Sequence, residues 1–380
     1  MSRGAAWAGA LEVTVRLGLT PAPDPMPDAA PPAAVLPAGT EVRALAYTEL
    51  VGNPDVGDRV LLNVSALARG LGTGGYALVV ALPDTLPTDP VPGPGHLVKA
   101  RYTPLQALVL GVDEQESAHH AQLRDADDLA GMPVVIADLH SALPAVVAGA
   151  RHAAAVAGRP VPSVAYVMTD GGALPAWFSR TVSELRTAGW IGACITAGQA
   201  FGGDLEAVTV HTALLAARLV VGADLVVVAQ GPGNLGTGTR WGFSGVAAGE
   251  AVNAVGTLGG RPVAALRVSA TDLRERHLGV SHHSLTAYGR VALVPADVVV
   301  PVFAPNGPLD ALGVRVHEQA LALGSPIGRH RLVRVDAGDD LLVALAGSPV
   351  RLSTMGRGLG QDPAAFLAAA AAGVHAARLL

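Results

Sequence analysis

Histidines and carboxylates gather at a few places in this 380-residue chain. His119 and His120 end the acidic run EQESAHH, and His277 precedes His282 and His283 in RERHLGVSHHS. Asp204 and Glu206 flank a leucine after the Gly-Gly turn of FGGDLEAV, and Asp170 lies in TDGGALP. Two carboxylates in one cleft divide acid and base roles when their surroundings push their pKa values apart, and imidazole moves protons near neutral pH. The expected catalytic set is therefore Asp204, Glu206 and one of His282 or His283. His119, His120 and Asp204 are the candidate metal ligands, because imidazole with carboxylate suits a transition metal. No recognised zinc spacing supports them, and His317-Glu318 is followed by Leu321 where H-E-x-x-H requires histidine. Each motif also has a plainer use. Acids are favoured in the first turn of a helix, Asp170 can cap one, and Ser281 or Ser284 can start one over SHHSLTAYGR.

The second chemical feature is AQGPGNLGTGTRWGFSG, from Ala229 to Gly245, directly after the apolar run Leu225 to Val228. Gly231, Gly233 and Gly236 formally match G-x-G-x-x-G. Pro232 removes a donor from that loop, and no helical pattern follows at once, so a dinucleotide site does not fit. Two readings stay open. The stretch is a flexible loop crossing the sheet edge, or a cradle of backbone amides for an anion, with Thr237 and Thr239 supplying hydroxyls and Arg240 a two-pronged donor. Asp170 is the expected partner for a ligand hydroxyl. Other chemistries fall away. Lys99 is the sole lysine and follows Val98, which excludes a G-x-x-x-x-G-K-[ST] loop. Ser244 and Ser281 lie outside any G-x-S-x-G elbow. Cys194 stands alone in an apolar setting, so no disulfide framework or C-x-x-C pair is available, and it reads as a small core residue.

These groups need a scaffold to bring them together. From ALVLGV through PVVIADL, SVAYVMT, DLVVVAQ, PVAALRV and DVVVPVF, near-continuous apolar runs of strand length alternate with helical stretches. Strands of that kind are covered on both faces in a parallel sheet. The expectation is an α/β fold with a three-layer, mostly parallel, Rossmann-like sheet over 97–345, preceded by a small β-barrel-like domain within 1–90. The polar, Gly-rich segments then fall at the carboxyl ends of the strands, where such sheets bind ligands. A proline-rich loop spans 20–38, PTDPVPGPG forms the linker, and 346–380 is a C-terminal extension. Its Ala-rich packed helix suggests an oligomer contact, so a homo-oligomer is expected. A net charge of −5 argues against nucleic acid and anionic membranes as partners. The longest apolar window, 207–229, contains His211, Arg218 and Asp224 and reads as a helix and a strand rather than a membrane span. Without a signal peptide at the start, a cytoplasmic protein is expected.

RYTPLQ, DEQESAHH, FGGDLEAV, GPGNLGTGTR and RERHLGVSHHSLTAYGR together resemble a bacterial family known only as a domain of unknown function. The resemblance runs from the front strands to about residue 345, with 20–38 as an insertion. It implies that the motifs belong together and assigns no catalytic residue or cofactor. Two functions remain in competition: an enzyme acting on a small anionic metabolite, possibly phosphorylated, and a non-catalytic ligand sensor or assembly protein.

Overall fold

The computed structural model describes residues 2–18, 36–89 and 91–380, so all but the last three residues of the proline-rich 20–38 stretch lie outside the described residues. The chain divides into two compact units, Met1–Gly93 and Pro94–Leu380.

The first unit is one five-stranded sheet of β1 (Ser2–Trp7), β2 (Ala10–Arg16), β3 (Glu41–Tyr47), β4 (Leu61–Asn63) and β5 (Ala77–Ala81). Alternation in β2 buries Val13 and Val15 and turns Glu12 and Thr14 outward, as a half-buried strand requires. The order is β1-β2-β3-β5-β4, with β3 and β5 parallel and the other pairs antiparallel. The sheet is open and mixed, where a barrel-like closure was expected. The reason lies in its edges: β1 is exposed along most of its length and β4 has three residues, so neither supplies a face to close upon.

The second unit is built on eight parallel strands: β6 (Pro133–Ile136), β7 (Val164–Thr169), β8 (Ala193–Ala197), β9 (Leu205–Ala207), β10 (Leu225–Gln230), β11 (Arg261–Ala265), β12 (Asp297–Val302) and β13 (Arg331–Asp336). Their order is β9-β8-β7-β10-β6-β11-β12-β13. All six residues of β10 are buried, which is why its sequence shows no polar alternation. Helices α1 (Leu143–Val156), α2 (Asp339–Ala346) and α3 (Pro363–Arg378) pack on one another as one layer, while α4 (Val210–Leu219) and α5 (Ala247–Thr257) form another. From β7 the chain continues outward to β8. From its neighbour β10 it crosses β6 to reach β11. The carboxyl ends of β7 and β10 therefore flank a topological switch point.

The C-terminal helix α3 is buried along nearly its whole length inside this unit. Gly149 of α1 and Gly373 of α3 make that possible. A Cβ on Gly149 would lie 2.0 Å from the Ala370 carbonyl oxygen, and one on Gly373 would lie 1.9 Å from that of Val146. Among the described residues no helix is long and apolar enough to cross a membrane.

Candidate functional site

Three strand ends build the site. β6 runs out into Asp138, β10 into the glycine-rich stretch that ends at Phe243, and β11 into a loop beginning at Arg267. That last loop folds back on itself where Val268–Ser269 pairs antiparallel with Gly279–Val280. Its outer part is pinned by charge. Arg274 donates twice to Asp272, at 2.9 and 3.0 Å, and Arg357 joins Asp272 to the buried Asp362 at 3.3 and 3.2 Å. Ser269 Oγ donates to Asp362 as well, at 2.6 Å. The Arg274 guanidinium holds the Asp272 carboxyl well below the usual carboxylate range. Gly279 turns with φ +69°, a left-handed conformation that favours glycine, and a Cβ there would meet Gln319 Oε1 at 2.2 Å.

The returning chain brings three imidazoles together. Ser281 caps a short helix, His282–Thr286, by accepting from the His283 N–H at 3.2 Å. Its hydroxyl also bonds His277 Nδ1 at 2.7 Å. One nitrogen from each of His277, His282 and His283 lies within 4.8 Å of the other two. Phe243 stacks on the His283 ring at 3.8 Å, tilted by 3°, which fixes that ring in place. Behind it, Asp138 Oδ2 stands 3.6 Å from His283 Nδ1 and 3.7 Å from Arg267 Nη1. Two polar atoms here are buried without a hydrogen-bond partner: His282 Nε2 and Asp138 Oδ2. Burial lowers His277 to about 3 and His282 to about 4, helped by the guanidiniums of Arg267 and Arg274 in both cases and of Arg276 for His282. Both rings are therefore neutral near pH 7, and a neutral imidazole offers a lone pair to a Lewis acid.

The sequence-derived residues divide between this place and others. His282 and His283 are here, and the glycine-rich stretch reaches it through Phe243. Residues 236–243 form a hairpin that occupies its own polar groups: Thr237 N donates to Gly242 O at 2.7 Å, Gly242 N donates to Thr239 Oγ1 at 3.1 Å, and the two threonine hydroxyls bond each other at 3.1 Å. Gly231 serves loop packing rather than an anion. Its N–H donates to Thr169 O at 3.0 Å, and its carbonyl lies 2.0 Å from where a Cβ on Gly172 would stand. Gly233 and Gly238 make turns at φ +92° and +79°, and Gly236 bridges Phe243 across the hairpin. Arg240, at the tip, is exposed and makes no hydrogen bond or ion pair with another described residue. Arg276 is free in the same sense and reaches the hairpin at Gly238.

The carboxylates go elsewhere. Asp170 Oδ2 accepts from Gln199 N at 2.8 Å and holds the turn after β8. That turn carries the chain back along the sheet, so Asp204 lies beside the start of β8. There it accepts from Cys194 N at 2.7 Å and pairs with Arg186 at 2.8 Å, at the edge opposite the imidazoles. Glu206 is buried against the single lysine, 2.9 Å from Lys99 Nζ, and accepts from Thr196 Oγ1 at 2.6 Å. Lys99 also donates to the carbonyls of Thr196, Ala200 and Ala207. A carboxylate so fully engaged anchors the strap at Leu97–Lys99 to the sheet, away from the cluster. His120 Nδ1 bonds the Asp113 carbonyl at 2.8 Å, and His119 precedes the short helix His120–Leu123 that packs on α4. Among the described residues the three-imidazole cluster is the one group with metal-holding proximity, and neither His119, His120 nor Asp204 belongs to it. Burial raises the Cys194 thiol well above its ordinary range, as suits a core residue.

Sequence reasoning missed His277 as a site residue, and with it Asp138, Arg267 and Phe243. His277 is five residues before His282, a spacing with no helical or strand period; only the antiparallel return of its loop makes the two neighbours. Asp138 carried a weak signal, since it is the first charge after the apolar run of β6.

The chain belongs to the DUF3866 family, described as proteins of unknown function, whose model matches residues 43–373 and so takes in most of both units. No curated protein and no solved structure matches it.

Proposed function

We propose that this family member is an enzyme that binds a small anionic metabolite at the carboxyl edge of its parallel sheet and transforms it at the imidazole cluster. The observation that carries this reading is the pairing of two unlike sets of groups. His282 holds a buried ring nitrogen without a partner, and the Arg276 guanidinium is close enough to help lower its pKa. Arg276 meets at Gly238 the hairpin whose tip carries Arg240, and neither guanidinium has a partner among the described residues. An unpaired guanidinium is the group that clamps phosphate or carboxylate with two parallel hydrogen bonds. The positive field that helps keep His282 neutral also draws an anion toward it. Asp204 and Glu206 have no part in this reading, because their partners hold them elsewhere.

The competing reading, a ligand sensor or assembly protein, draws on Leu235 and Trp241. Leu235, just before the hairpin, is 74% exposed and Trp241 within it 55%, as a surface awaiting a partner would be. Thermal melting of chelator-treated protein against a panel of phosphorylated and carboxylated metabolites separates the outcomes. A true ligand at 100 times its Kd stabilises by about 2.7 kcal/mol. Arg276→Ala should abolish that shift and leave the ligand-free melting temperature in place. Turnover of the stabilising compound, assayed both without metal and with added zinc chloride, supports the enzyme; binding without turnover in either condition supports the sensor; a shift that survives both Arg240→Ala and Arg276→Ala contradicts the proposed anion site.

A further inference from the structure

We infer that His277, His282 and His283 form a three-nitrogen site for one divalent transition-metal ion of the zinc type, with Asp138 as the carboxylate behind His283. This goes beyond the anion reading and stands independently of which anion binds. The donor set decides the class of ion. Imidazole nitrogens suit zinc, cobalt, nickel and copper, whereas magnesium and calcium call for oxygen ligands. The free nitrogens follow from partners already made. His277 engages Ser281 through Nδ1, leaving Nε2. His283 Nδ1 accepts from Arg267 Nη1 at 3.1 Å and stands 3.6 Å from Asp138 Oδ2, also leaving Nε2. His282 Nε2 is buried and has no partner at all.

A metal resolves both orphaned atoms of the site in one step. It takes the lone pair of His282 Nε2. Bound to His283 Nε2, it shifts the proton of that ring to Nδ1, which then exchanges the bond it accepts from Arg267 Nη1 for one it donates to Asp138 Oδ2, the unpaired acceptor. Metal-bound histidines usually donate their second nitrogen to a carboxylate or hydroxyl in this way, and Ser281 plays the same part for His277. A buried histidine with no ligand to hold can have both nitrogens bonded, as in His330, which accepts from Ala296 N at 3.1 Å and bonds Tyr288 O at 2.7 Å. His317 Nδ1 is buried and unpartnered like His282 Nε2, but among the described residues it has no cluster of metal-ligating groups around it. Ligands at roughly 2.0–2.1 Å from a tetrahedral ion stand about 3.4 Å apart, so the cluster must draw in by about 1 Å. His282, half-buried on the first turn of its helix, is the ring free to move. Three protein nitrogens leave a fourth position, which is the arrangement of catalytic rather than structural zinc sites. Arg267, Arg274 and Arg276 oppose a bare cation, and an anion in the fourth position relieves that repulsion.

The test uses the full chain, stripped with a chelator and titrated with zinc chloride by calorimetry and with cobalt chloride by visible absorption. One equivalent should bind, with the intense visible bands of four-coordinate cobalt. His277→Ala and His282→Ala should each weaken binding by at least a hundredfold, and Asp138→Asn by ten- to a hundredfold. Circular dichroism confirms that each variant is folded, and His282→Gln replaces any that is not. His211→Ala, at an exposed helix position, should bind like the parent. Absence of one-to-one binding, or binding that His277→Ala and His282→Ala leave unchanged, overturns the inference. Because the titration contains no metabolite and the metabolite panel contains no metal, failure of either proposal is seen separately.

Discussion

Two buried histidine arrangements lie on the same unit and end differently. His140, just past β6, bonds Ser179 Oγ through Nε2 at 2.7 Å and Tyr166 OH through Nδ1 at 2.9 Å. The Tyr166 hydroxyl donates onward to the carbonyls of Ala229 or Gln230, at 3.2 and 3.1 Å, and Ser179 also caps the Arg180–Thr187 helix. Every polar atom of that chain has a partner, and it ties β7, β10 and the chain after β6 together. The cluster at His277, His282 and His283 is as well packed, yet it leaves a ring nitrogen and a carboxylate oxygen buried and unpaired. An unmade buried hydrogen bond costs about 1–3 kcal/mol. The lesson is that a satisfied histidine network is architecture, while an unpaired nitrogen among further imidazoles and an unpaired carboxylate, unlike the lone unpaired Nδ1 of His317, marks a place for something else to bind.

The comparison makes graded predictions. The largest effect is expected at His140. Truncation to alanine leaves a cavity and strands Ser179 and Tyr166, so His140→Ala should lower unfolding free energy by about 2–4 kcal/mol in urea melts. Its pKa gives a second check. Burial lowers His140 from 6.5 to about 4, so folding favours the neutral ring. That contribution is complete above pH 6.5 and is lost as pH falls toward 4, because the unfolded chain takes up the proton first. The loss amounts to roughly 3 kcal/mol for this group. Replacing His140 with glutamine should flatten this part of the stability profile, and an unchanged profile would place the acid sensitivity elsewhere.

Tyr166→Phe comes next, at about 1–2 kcal/mol, since it removes the link between His140 and the end of β10. His282→Ala should cost less than about 1 kcal/mol in metal-free protein, because its Nε2 has no bond to lose. If it proved as damaging as His140→Ala, the contrast between the two arrangements would collapse. Smallest of all is Arg240→Ala, within about 0.5 kcal/mol by melting, as expected of an exposed side chain without a partner.

Much of the α/β unit was legible because the physics that shapes it is local. Strands buried on both faces, such as Leu225–Gln230, must be apolar throughout, and the glycines after them mark loops that approach closely. The rest depended on where chains return. FGGDLEAV follows a strand, but its loop runs back along the sheet before Asp204 is reached, and Glu206 finds Lys99, more than a hundred residues earlier. The C-terminal helix was legible as a packed helix, but an alanine run has no polar face to say which elements it packs on. Its fit depends on Gly149 and Gly373, whose pairing no periodicity reveals. In the first unit, alternation located the strands but carried no information about whether the sheet closes.

The central claim, that the cluster is incomplete because a metal completes it, is tested most directly by diffraction from crystals of the full chain grown with zinc chloride, with data collected on both sides of the zinc absorption edge. The account predicts one strong anomalous peak bonded to the Nε2 atoms of His277, His282 and His283, with Asp138 Oδ2 drawn within hydrogen-bond distance of His283 Nδ1. A map with no peak among the three rings, and with His282 Nε2 still buried and unpaired, would contradict it.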